Sequence, residues 1–110
     1  MGRFVKGDVV VVPFPFADLT DSKRRPALVI ASLIGNDMLL CQITSQTIND
    51  NYSIVLTNEN FKEGSLKQKS NIRPNRIFTA DEDIILYKIG SINQEKTLSV
   101  IQKIIDILTS

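Results

Sequence analysis

The chain has no histidine and a single cysteine, Cys41, which narrows the chemistry open to it. Without histidine there is no Ser-His-Asp triad, no Cys-His pair and no paired-histidine ribonuclease site. An ordinary zinc site lacks its ligands, and the carboxylates are scattered with no metal-like spacing. A magnesium site assembled from distant residues stays open. No Gly-rich phosphate loop occurs. What remains is arginine, lysine, serine and threonine chemistry, and it suits one reaction class. RNA can be cut without metal when its own 2′-hydroxyl attacks the adjacent phosphorus. The protein must then place the nucleotide in line, move protons and stabilise a phosphorane-like charge. A guanidinium matches phosphate oxygens through its bidentate fork. A hydroxyl beside it adds a donor typically worth ~3 kcal/mol in the transition state.

The stretch from Lys6 to Ile30, KGDVVVVPFPFADLTDSKRRPALVI, is where such residues meet a recognisable framework. An apolar strand, Asp8 to Val12, runs into Pro13-Phe14-Pro15, which is expected to end its hydrogen-bonding ladder. Its continuous valines imply that both faces are covered, or that one lies in a dimer contact. The loop over 13–25 is long and rich in turn formers, a length usually reserved for function. Arg24-Arg25-Pro26 then opens a second strand, Ala27 to Ser32, with the proline at its first position. Two guanidiniums at the mouth of a buried strand are costly unless solvated or given an anionic partner. For Arg25 that partner is either a substrate or Asp18 or Asp21 of its own loop.

Further along, Gly35-Asn36-Asp37 reads as a turn and Met38 to Thr44 as strand three. Residues 45–51 are polar and loop-like, and Tyr52 to Leu56 is strand four. Residues 57–60 form a turn or short helical cap. Gly64 to Lys69 is a basic, mobile-looking approach to strand five, Ser70 to Arg73, resumed at Arg76 to Phe78 after Pro74. Asp81-Glu82-Asp83 reads as a turn far from the site, and Ile84 to Ile89 is strand six. Asn93 is a good N-cap for a C-terminal helix, with Glu95 complementing the first turn. On that helix Leu98, Ile101, Ile105 and Leu108 share one face, widened by Val100, Ile104 and Ile107, as barrel or dimer packing requires. Short strands at this spacing with a final helix give a mainly β chain built as a small barrel.

The 110 residues make one domain, 1–110, large enough to bury ~65% of its unfolded surface without metal or disulfide. Cys41 sits in an apolar run and reads as core. No apolar stretch approaches the ~18 residues of a membrane span, and no signal peptide is visible, so the chain is expected in the cytoplasm. A net charge of +1 rules out a strongly basic nucleic-acid coat. Local patches must supply affinity: Lys23, Arg24 and Arg25, and then Lys62, Lys67, Lys69, Arg73 and Arg76 against Glu63 alone, an excess of +4. Such charges are equally at home as solvated turn residues.

GDVVVVPFPF, RRPALVI, QITSQ at Gln42 to Gln46, and GSLKQKSNIRPNRIFT at Gly64 to Thr79 follow one another in an order and spacing that resembles the MazF/PemK (Kid) toxin family. The likeness spans Gly7 to Gly90, with the C-terminal helix also in place. It implies an SH3-like barrel of the CcdB/Kid/MazF type. It also implies a homodimer and a metal-independent, cofactor-free endoribonuclease of a type II toxin–antitoxin system. Such an enzyme cuts single-stranded mRNA to leave 2′,3′-cyclic phosphate and 5′-hydroxyl ends. An acidic, partly disordered antitoxin would cover the basic groove.

The same resemblance assigns the catalytic pair to Arg25, the arginine of the RP motif, and Thr44, the first hydroxyl residue of TSQ. Arg25 would be the main phosphate ligand and proton-transfer group, with Thr44 steadying the scissile phosphate. Because an arginine pKa exceeds ~12, water or substrate would share the general-base work. Ser45 and Gln46 are candidates for orientation or base contact, and Arg24 for the phosphate backbone. Arg73 stands where family members also carry arginine. Pro74-Asn75 follows it where some relatives have an acidic residue, so an acid-assisted variant does not carry over. Ser70 either contacts RNA or ends a strand. Phe14 and Phe16, with Phe61, are candidates to stack on bases, against plain core packing. A second class of function is a non-catalytic binding module on the same barrel, either a gyrase poison of the CcdB type or a binder of RNA or antitoxin alone. Retention of both RRP and TSQ favours the nuclease.

Overall fold

The computed structural model describes residues 3–14 and 23–110. Most of the loop expected over 13–25, with Phe16, Asp18 and Asp21, lies outside the described residues. Seven strands, β1 (Asp8–Phe14), β2 (Lys23–Ser32), β3 (Asp37–Thr44), β4 (Ile54–Leu56), β5 (Phe61–Gly64), β6 (Ser70–Asp81) and β7 (Tyr87–Ile92), precede one helix, α1 (Gln94–Thr109). They form a single sheet in the order β4-β6-β3-β2-β1-β7-β5, and every neighbouring pair is antiparallel. The mainly β class with a C-terminal helix is as expected.

One connection forces the sheet to curl. The chain leaves β5 at one edge and re-enters at β6, next to the other edge, with only residues 65–69 between them. Six Cα steps reach at most ~21 Å when extended. Five strand spacings in a flat sheet would be ~24 Å. The strands must therefore wrap toward closure, and the 65–69 segment bridges the gap.

The alternation of the central strands covers both faces. Val9, Leu28, Cys41, Ile43 and Ile72 form a core on one side with Val100 of the helix. Val10, Val12, Ala27, Val29 and Leu40 form a second core on the other with Met38, Ala80 and Ile85. The valine run of β1 is thus buried on both sides within one chain, and each fully buried aliphatic side chain contributes ~1.5–3 kcal/mol. Cys41 lies in the first core, where burial pushes its thiol up to about 12.

Several boundaries differ from the sequence expectations, and prolines explain most of them. Pro13 does not end β1, which runs on to Phe14 opposite Lys23. β2 begins at Lys23, so Pro26 lies inside it. Each proline has a side with no partner strand: β7 joins β1 no further than Val11, so Pro13 lies beyond it, and β3 joins β2 no earlier than Ala27, so Pro26 lies before it. A proline is tolerated at such a position because one side needs no N–H. Pro74 likewise does not split β6. The β3 register jumps from Cys41–Ile77 to Gln42–Arg73, so Pro74, Asn75 and Arg76 bulge out of one long strand.

β5 was not anticipated. Strand four starts at Ile54 rather than Tyr52, and the last strand is Tyr87–Ile92 because residues 82–84 form a 3₁₀ turn capped by Asp81. That acidic turn binds the N-terminal segment, where Arg3 pairs with Glu82 and Asp83. The helix starts as expected, with the Lys96 N–H donating to Asn93 Oδ1 at 2.8 Å. Its inward residues, however, are Val100, Thr97 and Ile104, while Leu98, Ile105 and Leu108 of the expected stripe stay exposed. Among the described residues no helix is long and apolar enough to cross a membrane.

Gly64 and Gly90 face each other across β5 and β7. Gly64 has φ +78°, and a methyl on Gly90 would overlap the carbonyl oxygen of Glu63. The close approach of these backbones sets where residues 65–69 begin their crossing. Gly90→Ala should therefore lower stability by ~1–3 kcal/mol, as overpacking against backbone does. A urea denaturation midpoint equal to wild type would show that the pair is not this tight.

Candidate functional site

The point where β2 and β3 separate defines the site. Their ladder ends at Ala27–Gln42. Continued by one pleat, the same register would set Arg25 opposite Thr44, with both on the face of Ala27 and Gln42. The strands part there instead, and Pro26 has no N–H to extend the ladder. An open groove of about 660 Å³ fills the gap. Lys23, Arg24 and Arg25 line it from β2, and Thr44 and Ser45 from the end of β3. The bridging residues Ser65, Leu66, Lys67 and Gln68 form another wall, and Val11, Tyr87 and Ile89 a third. Among the described residues each charged one lining it, Lys23, Arg24, Arg25 and Lys67, is a cation.

Local bonds orient the hydroxyls. The Gln46 N–H donates to Thr44 Oγ1 at 3.2 Å, a local turn that occupies a lone pair, and the Thr44 hydroxyl donates to none of the described residues. The Gln46 carbonyl accepts from Asn71 Nδ2 at 3.1 Å, which ties the TSQ turn to β6. Ser70 lines the groove, but it is buried and donates its proton to the Gln68 carbonyl at 3.0 Å. It thereby holds the bridge rather than offering a donor.

The bridge itself is anchored and not the loose approach expected. The Leu66 N–H donates to Asn58 Oδ1 at 2.9 Å, and Leu66 packs on the core.

Of the residues singled out in the sequence, Arg24, Arg25, Thr44, Ser45 and Ser70 share this groove. Gln46 is not among its lining residues. Arg73 lies opposite Gln42, on the face of Thr44, but does not line the groove. Its guanidinium pairs with Asp50 Oδ2 at 3.4 Å, with the two side chains 18% and 24% exposed. Asp50 also accepts from the N–H groups of Ser53 and Tyr52 at 2.8 and 2.9 Å. These donors, Ser53 first, and the Arg73 charge hold its carboxyl below the usual carboxylate range. Phe16 lies outside the described residues, and of Phe14 only its place at the end of β1 is described. Phe61 packs against the core.

Tyr87, Gln68 and Ser65 were not singled out by sequence reasoning. Ser65 and Gln68 lie inside the Gly64–Thr79 segment but carry no signal of their own there, Tyr87 lies outside every motif, and the presence of all three in the groove depends on the curl. Among the described residues no three His, Cys, Asp or Glu side chains come together as metal ligands.

Residues 5–108 match the family described as PemK-like, MazF-like toxin of type II toxin-antitoxin system. The chain belongs to that family. No curated protein sequence matches it. Its fold is that of solved MazF structures. A MazE–MazF crystal structure from Deinococcus radiodurans superposes with a TM-score of 0.76 at 19% identity, covering 96% of this chain and 96% of that one. Mycobacterium tuberculosis toxin MazF-mt6 gives 0.73 at 13% identity, covering 93% and 96%. An endoribonuclease in complex with its cognate antitoxin, from Mycobacterial species, gives 0.74 at 10% identity, covering 97% and 96%. The expected small barrel of the CcdB/Kid/MazF type is therefore the observed one.

The Asp50 cluster yields a test of its own. Asp50→Asn keeps an acceptor for the two N–H groups and removes the ion pair, whereas Asp50→Ala removes both. The alanine variant should unfold at the lower urea concentration. A carboxyl held below its ordinary value stabilises the fold above that value and ceases to do so as the pH falls through the lowered one. The gap between wild type and Asp50→Asn should accordingly close in acid. A gap that persists there would mean the charge is not what Asp50 contributes.

Proposed function

We propose that this chain is the toxin of a type II toxin–antitoxin pair, a metal-independent endoribonuclease that cuts single-stranded mRNA. The observation that carries the reading is the separation of β2 and β3 at Arg25 and Thr44, which opens a groove with four cationic residues on its walls. A single-stranded substrate needs few phosphate contacts, so a net charge of +1 is no obstacle when the cations are gathered this way.

In this reading the RNA 2′-oxygen forms a bond to phosphorus as the bond to the 5′-oxygen breaks, leaving a 2′,3′-cyclic phosphate and a 5′-hydroxyl. The Arg25 guanidinium binds the non-bridging oxygens and stabilises the charge that grows on them. Thr44 donates its hydroxyl proton to the same phosphate, with its lone pair held by Gln46. The proton leaving the 2′-hydroxyl passes through water or the substrate, assisted by Arg25, and the departing 5′-oxygen is protonated in turn. Lys23, Arg24 and Lys67 hold flanking phosphates. Arg73 can act on phosphate only when Asp50 gives up its share of the guanidinium. A homodimer in the cytoplasm, restrained by an acidic antitoxin segment laid over the same cations, completes the proposal.

Incubation with mixed-sequence RNA in EDTA tests it. Wild type should cut, and Arg25→Ala should lose ~10²–10³-fold in rate while keeping the wild-type oligomeric mass. Thr44→Val should lose activity in the same direction with the β3 strand intact. Full activity in Arg25→Ala would remove the site assignment. RNA left whole by wild type while gyrase stalls on DNA would favour the poison reading.

A further inference from the structure

Tyr87 gives the groove an aromatic wall that the chemistry assigned to Arg25 and Thr44 does not use. It is 53% exposed although it lies in a paired strand. Val11 is opposite Tyr87 on one side and Pro26 on the other. Pro26, Val11 and Tyr87 therefore form one row across β2, β1 and β7, ~10 Å from end to end at the usual strand spacing. Arg25 is the next residue to Pro26. Gln68 enters the same groove from the bridge, and its carboxamide makes no hydrogen bond to any described residue. The apolar backing nearby comes from Leu66 and Ile89, both packed on the core.

An exposed ring, an amide with no hydrogen bond among the described residues and cations with no carboxylate among the described lining residues are the parts from which single-strand sites are built. The ring stacks a base, the amide bonds its edge, and the cations follow the backbone. An acidic peptide would engage the cations equally well. A flat ring lining the same groove as an amide that bonds to no described residue favours a planar ligand with hydrogen-bonding edges. A nucleobase is such a ligand.

We propose that Tyr87 is the stacking platform for a base next to the scissile linkage and that Gln68 bonds the edge of that base. Together they form a specificity subsite distinct from the Arg25–Thr44 pair. This rests on the reading of the groove as a single-stranded RNA site. Phe14 and Phe16 are not needed for the role.

The experiment measures binding apart from cleavage. A fluorescent single-stranded oligonucleotide pool of random sequence, fully 2′-deoxy and so lacking the attacking hydroxyl, is titrated with each protein and followed by anisotropy. Tyr87→Ala and Tyr87→Leu should each weaken binding ~10-fold, as loss of one stacked base does, while Tyr87→Phe keeps wild-type affinity. On cleavable RNA, Tyr87→Ala should raise KM by a similar factor and leave kcat unchanged. Gln68→Ala should flatten base preference at one position of the mapped cut sites. Tyr87→Ala that binds and cuts like wild type, or Tyr87→Phe that fails with it, would overturn the subsite even if wild type is an active nuclease. Conversely, wild type that leaves RNA whole yet binds the pool through Tyr87 would keep the subsite and overturn the nuclease reading. No binding of the pool by wild type would overturn the subsite, and wild type that also leaves RNA whole would overturn both.

Discussion

The structure depends on a length constraint. Five residues must carry the chain from β5, at one edge of a seven-stranded sheet, to β6 beside the other. A flat sheet cannot be spanned by so short a segment, so the strands curl. Two glycines let β5 and β7 approach closely enough for the crossing to start where it does. Asn58 and the Leu66 side chain then hold it down. The crossing is also a wall of the groove, so closure of the fold and construction of the site are one event.

The same economy appears at the other wall. β1 and β2 continue past the sheet as a two-stranded ribbon with Pro13 in it, and Pro26 sits at its base on the side of β2 that β3 has left, so neither position faces a strand that asks for an N–H. The β3 strand turns away at Thr44, pinned by the Gln46 N–H and by Asn71. Arg25 consequently emerges at a point where one neighbour, Val12, is buried and the other side is open. A guanidinium in that position keeps its stem against apolar surface and its head toward solvent or an anion.

Composition and pattern made the class, the helix start and the central strands legible, because continuous valines, alternating apolar residues and an asparagine cap act locally. The resemblance of RRPALVI and QITSQ brought Arg25 and Thr44 together on paper before any geometry was known. What could not be read was how proline behaves away from the sheet interior. Pro13, Pro26 and Pro74 each looked like a strand end, and each sits inside a strand, since a ribbon or a bulge removes the need for the missing donor. β5 escaped because four residues ending in Gly64 carry no strand pattern alone and exist as a strand only against Gly90. Tyr87 and Gln68 escaped for a related reason: Tyr87 lies outside every motif, Gln68 is one polar residue within the Gly64–Thr79 segment, and only the curl brings them to the groove.

Arg73 and Arg25 show why matching residue types is not enough to define a site. Both stand on the same face of the sheet, reached through the register of β3 with its two neighbours. Arg73 is held by Asp50, itself tied to the backbone of residues 52 and 53, so its charge is already answered within the protein. Arg25 stands among cations at the open end of the ribbon. An anion entering the groove meets Arg25 without displacing the Asp50–Arg73 pair, whereas recruiting Arg73 would first require that exchange. The carboxylate at position 50 thus separates two arginines that stand on one face, and it leaves the β2–β3 split as the end of the groove where the described cations gather.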